Sequence, residues 1–81
     1  MGRKLKIIEK KLGKEHAWGM FIPAKNVIEI DPRQGSRRYL NTLIHELLHY
    51  LYPEDSETKV TENAYILTRH IWNKNYRRVS K

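Results

Sequence analysis

Two helical periodicities lie only four residues apart, and this spacing limits the possible folds of the chain more than any other feature. From Ser36 to Tyr52, residues Leu40, Leu43, Ile44, Leu47, Leu48 and Leu51 gather on one broad face at about 100° per residue. Pro53 stops that pattern. A second stripe, Val60, Ala64, Leu67 and Ile71 with Tyr65, Thr68 and Trp72 beside it, runs from near Ser56 to about Asn73. Ser36 and Ser56 each stand where an N-cap belongs, with a hydroxyl to satisfy a free backbone N–H. The link Pro53-Glu54-Asp55-Ser56 is too short for the second helix to do anything but return along the first. The pair is therefore expected side by side and antiparallel.

The stretch before the helices has a different rhythm. "KLKIIEKKL" (4–12) is rich in Ile and Leu with partial alternation, which reads as a first strand, and Gly13 breaks it. "HAWGMFI" (16–22) and "NVIEID" (26–31) are aromatic and β-branched runs on either side of Pro23-Ala24-Lys25, the pattern of a hairpin. Asp31-Pro32 closes the second run, and Gly35-Ser36 punctuates before the helix. The fold class is then α+β: three short strands, antiparallel or mixed, followed by two antiparallel helices. A chain of 81 residues without repeats is expected to be one domain, 1–81, with a polar basic tail fraying from about residue 74.

The chain has no cysteine, so neither a disulfide framework nor a thiolate metal site is possible. Any metal must be held by His, Asp or Glu, and a chain this small can draw stability from such an ion. The net charge is +7, with Lys and Arg crowded at both ends, while five of the nine acids lie between Glu46 and Glu62. A basic body around an acidic centre suits nucleic acid or an acidic partner, although a solvated surface needs no partner at all. No run is long enough to span a bilayer, and no signal peptide or myristoylation pattern is visible. The expected location is the cytoplasm, away from membranes.

The first helical run contains His45-Glu46-Leu47-Leu48-His49, an H-E-x-x-H pattern. On a helix the two imidazoles stand one turn and about 40° apart, so they can converge on one zinc ion. They lie on the polar border with Arg38, Asn41, Thr42, Glu46 and Tyr52, away from the leucine face. Glu46 is then placed as a general base that takes a proton from a zinc-activated water and passes it to a leaving group. Zinc needs a third protein ligand, and Glu54, Asp55, Glu57, Glu62 and His70 are the candidates. Antiparallel pairing sets His49 opposite roughly residue 60. Glu57 lies about 60° from the Val60 stripe and can face the first helix, whereas Glu62 lies about 160° away. Glu57 is the first choice and Glu62 the second. Glu57 is also the kind of acid that a helix dipole favours in a first turn.

Other residues carry weaker signals. Tyr52 could donate to an oxyanion but also suits helix-end packing. Thr42, one turn before Glu46, could orient it or simply lie on the surface. Trp18 and Trp72 are expected in the core, and His16 and His70 on the surface.

The chain resembles small phage-encoded zincin-like metallopeptidases. The likeness rests on Ile28-Glu29-Ile30-Asp31-Pro32-Arg33, on Leu40 to His49, on Pro53, Ser56, Glu57 and Val60, and on Arg69 to Trp72, and it covers roughly residues 16 to 78. It implies a minimal zincin core, a Zn(2+) cofactor, a peptide or protein substrate, and an edge strand above the helix that pairs with extended substrate. The segment "HAWGMFI" is the candidate for that strand. The competing reading is a basic module that binds nucleic acid or protein, with a structural or vestigial metal site, and Arg37, Arg38, Arg77 and Arg78 favour it.

Overall fold

The computed structural model describes residues 4–13 and 18–78. Three strands, β1 (Lys6–Glu9), β2 (Gly19–Ile22) and β3 (Val27–Ile30), precede two helices, α1 (Ser36–Leu51) and α2 (Glu57–Asn73). The sheet is mixed, in the order β1-β3-β2. β1 runs parallel to β3, with Lys6 opposite Val27 and Glu9 opposite Ile30. β2 runs antiparallel to β3, with Gly19 opposite Ile30 and Ile22 opposite Val27. The expected α+β class holds. The hairpin turn is one residue longer than the sequence suggests: Asn26 belongs to it, at φ 56°, a left-handed conformation that Asn tolerates better than most residues. His16 and Ala17, at the start of the expected second strand, lie outside the described residues.

β3 is the central strand, and Ile28 and Ile30 are fully buried. α1 lies against β2 and β3 on one side and against α2 on the other. Ile44 and Leu48 of α1 meet Val60 and Ala64 of α2, with Leu40 and Ile71 packed at the edge of that cluster. The buried stripe of α2 is Val60, Ala64 and Thr68, while Leu67 is exposed. The expected stripe had Leu67 facing inward. Thr68 takes that place because its hydroxyl donates to Asn41 Oδ1 of α1 at 3.0 Å, so the buried polar atom is satisfied. Leu51, expected on the core face, is 58% exposed because α1 ends there, past the last turn that α2 covers.

Three local expectations need correcting. The N-cap of α1 is Gly35, without a side-chain cap, and Ser36 is the first helical residue. Trp18 is 41% exposed rather than in the core: it sits at the entry to the edge strand β2, with the Arg38 guanidinium 5.5 Å above its ring. Trp72 is half-buried and carries Arg77 on its face at 3.6 Å. The cap of α2 does match the sequence reading, since Ser56 Oγ accepts from Lys59 N–H at 3.1 Å. Beyond α2, Arg78 reaches Glu9 at 2.7 Å.

Candidate metal centre

α1 and α2 are antiparallel, so the last turns of α1 face the first turn of α2, and three side chains meet there. His45 Nε2 lies 2.9 Å from Glu57 Oε2, and His49 Nε2 lies 2.9 Å from Glu57 Oε1. The imidazole rings are 5.0 Å apart at an angle of 61°. A ligand atom from each of the three residues lies within 4.8 Å of the others. The set is chemically suited to zinc: two imidazole nitrogens and one carboxylate, with no thiolate. A tetrahedral zinc at roughly 2.0–2.1 Å from each ligand needs ligand atoms about 3.3 Å apart; the two histidine–glutamate contacts at 2.9 Å lie near that distance, and the set as a whole lies within 4.8 Å. The His side chains are largely covered, at 19% and 28% exposure, whereas Glu57 is open on its outer side at 67%.

The other candidates for a third ligand lie elsewhere. Glu62 and Glu54 are exposed and outside the cluster, and so is His70. Asp55, just before the cap of α2, is engaged with Lys59 in its first turn at 3.6 Å. Tyr52 is 53% exposed, and its backbone N–H closes the last turn of α1 on Leu48 O.

Glu46 projects beside His49, from the flank of α1 that lies under β2. Burial raises its pKa; His45, His49 and the donating N–H of Phe21 pull it back down, and Glu57 raises it. A carboxylate held this way is poised to accept a proton nearer neutral pH than an exposed one. A cation among His45, His49 and Glu57 would act in the same direction as the two histidines.

The stripe that reads as polar in the sequence is therefore not a solvent face, because β2 covers it. The close approach depends on Gly19. A Cβ at that position would stand 2.6 Å from Thr42 Cγ2, 3.2 Å from Glu29 O and 3.6 Å from Glu46 Cγ. Thr42 does not bond to Glu46. Its hydroxyl donates to Gln34 Oε1 at 2.9 Å. The Gln34 amide in turn donates to Asp31 O at 2.9 Å and Trp18 O at 3.3 Å. One buried glutamine thus ties the entry of β2, the exit of β3 and the turn of α1 before Glu46.

A second tether holds the sheet itself. Asp31 is buried and accepts from Leu12 N–H at 3.0 Å and from Arg33 Nε at 2.8 Å, and Arg33 Nη2 donates to Leu12 O at 3.1 Å. The Arg33 hydrogen bonds hold the Asp31 carboxyl well below the usual range. Sequence reasoning missed Gln34 and Gly19. A glycine inside an aromatic strand run was the available signal for a close backbone approach. Gln34 had no local signal, because its partners are brought to it only by the fold.

Between β2 and α1 lies a cleft of about 420 Å³, walled by Met20, Phe21, Pro23 and Pro53 and floored by Gly19, Glu46 and His49. Phe21 packs edge-on against Tyr50 at 5.6 Å, which fixes the far wall. β2 is an edge strand, so the outer side of its backbone borders this cleft. Phe21 N–H faces Glu46 rather than β3, which marks Gly19 and Phe21 as the outward-facing backbone positions.

The model of the IrrE N-terminal-like domain family, Peptidase_M78, matches residues 2–72. The chain belongs to that family. It is a zincin-like metallopeptidase family, in agreement with the resemblance drawn from the histidine helix and its flanks. No curated protein and no solved structure matches the chain.

Proposed function

We propose that this chain of the IrrE N-terminal-like domain family is a single-domain zinc-dependent metallopeptidase acting in the cytoplasm, with His45, His49 and Glu57 as metal ligands and Glu46 as general base. The observation that carries the reading is the convergence of both Nε2 atoms on the Glu57 carboxylate, with a desolvated Glu46 alongside. Zinc in such a site supplies a Lewis acid that polarises a carbonyl and acidifies a water. Glu46 takes the proton of the attacking water and hands it to the leaving amine nitrogen. The outward groups of β2 that Glu46 does not occupy, Gly19 N–H and the C=O groups of Gly19 and Phe21, pair with an extended peptide and lay its scissile bond across Glu46 and His49. Met20, Phe21, Pro23 and Pro53 exclude water from one flank and offer apolar contact to the neighbouring side chain.

The test is zinc content on protein purified without added metal, followed by peptide hydrolysis. One zinc per chain is expected in wild type and Glu62→Ala, and little in His45→Ala or Glu57→Ala. Glu46→Gln should keep its zinc and lose roughly 10²–10⁴ in kcat/KM on an unstructured protein substrate. Wild type that cannot be loaded with zinc sinks the reading. Full activity in Glu46→Gln removes its base.

A further inference from the structure

At the end of the helix pair away from the metal ligands, the first turns of α1 meet the last turn of α2. There the chain builds a second cavity of about 290 Å³. Its floor is Leu40, Leu43 and Ile71, and its rim carries aromatic rings and guanidinium groups. The rim is held in place by the end of α2. Asn75 adopts φ 69°, Asn75 N–H donates to Trp72 O at 2.9 Å, and Tyr76 N–H donates to Ile71 O at 3.3 Å. That is a Schellman ending with Asn as its left-handed residue, and it folds Tyr76, Arg77 and Arg78 back over the cavity.

Both arginines are laid flat on aromatic faces. Arg77 stacks on Trp72 at 3.6 Å and donates to Trp72 O, while Arg78 stacks on Tyr39 at 4.3 Å and donates to Glu9. A guanidinium has five N–H donors, and stacking leaves its edge to reach an anion in a fixed geometry. Tyr76 is 72% exposed beside them, with ring surface open to solvent. Among the described residues, Arg37, Arg38, Lys74 and Arg77 have no carboxylate partner, and the Glu9 carboxylate is shared by Arg78 and Tyr39. The acids are concentrated at the metal end instead.

We infer that this cavity is a binding site for single-stranded nucleic acid, distinct from the metal centre: a base stacks against Tyr76 and enters the apolar cavity, and the flanking phosphates meet the unpaired Arg77 and, by taking the place of Glu9, Arg78. Uncompensated cations attract any polyanion. The aromatic rim and apolar floor select one whose flat apolar groups are accessible, which a single strand provides and a duplex or an acidic peptide does not.

The experiment is fluorescence anisotropy of a labelled short oligothymidylate with the full chain, across a salt series, with zinc content measured on the same samples. Wild type should bind the single strand more tightly than a duplex of the same length. Tyr76→Ala should weaken binding by at least about fivefold without changing the salt slope, because it removes stacking and no charge. Arg77→Ala/Arg78→Ala should weaken binding and flatten the slope by about 0.7 for each phosphate that is no longer neutralised. Lys25→Ala/Lys59→Ala, which removes the same charge elsewhere, should leave most of the affinity. Zinc content should not change in any of them, so failure here and failure of the peptidase reading are separable. Equal loss in both double variants, equal affinity for duplex, or displacement by polyglutamate as readily as by unlabelled oligothymidylate would overturn the site.

Discussion

Gly19 has no side chain, yet it sets how near the sheet can come to α1. Its neighbours across the gap are the Thr42 methyl and the Glu46 stem, so even one carbon forces β2 outward. Gly19→Ala is expected to cost about 1–3 kcal/mol, the usual range for overpacking a tight contact, as read by urea denaturation. It should also widen the cleft and loosen the Phe21 N–H bond to Glu46, lowering activity while zinc is retained. Stability equal to wild type would mean that β2 does not press on α1 as described. Gln34 acts on the same gap by bonding rather than by bulk, since its amide links Trp18, Asp31 and Thr42.

The helices show how ends and faces divide the work. α2 begins on a capping serine with Glu57 in its first turn, so the acid that faces the histidines also sits where the helix dipole favours a negative charge. α1 begins less well: Gly35 makes no side-chain cap, and no acid lies in its first turn. A Cβ at Gly35 meets nothing within 4 Å, and the backbone there, at φ −63° and ψ 162°, is open to any residue. Gly35→Asp should therefore stabilise the protein by about 0.5–1 kcal/mol, from a new cap and a less flexible unfolded chain, measured as a rise in Tm. An unchanged or lower Tm would show that the first turn of α1 is not limiting. The inward turn of Thr68 and the exposure of Leu67 belong to the same level. Hydrophobicity alone favours leucine inside, but helix spacing from Val60 and Ala64, together with Asn41 as a partner, favours threonine.

Taken together, the described elements form a small core in which α2 packs, among them, only against α1. An ion bridging His45, His49 and Glu57 would link the two helices directly, so metal binding and folding should be coupled. At a free zinc concentration about a hundred times Kd, the ion contributes about 2.7 kcal/mol. For a domain of this size that corresponds to roughly 10–20 °C in Tm. Chelation should lower Tm by that amount, and zinc should restore it where magnesium does not, because magnesium prefers an all-oxygen octahedral site. A Tm indifferent to chelator would separate the histidines from the stability of the fold.

How much of this was legible in advance divides along physical lines. The helices, their antiparallel return and the pairing of His45, His49 and Glu57 are set by periodicity, the Ser56 cap and a short link, all of them local. The α+β class and the hairpin follow from the same kind of information. What the linear pattern could not show was which side of α1 faces the sheet. Thr42 and Glu46 look like solvent residues by hydropathy, but β2 half-covers them because Gly19 lets it approach. Trp18, an obvious core residue by size, stays at the sheet edge because β2 has no further strand beside it among the described residues. Gln34 and Asp31 acquire their roles only when chain segments distant in sequence are brought together. Local free energies are encoded in neighbouring residues, whereas the desolvation of Glu46 and the tethers around it depend on groups that meet only in the tertiary structure.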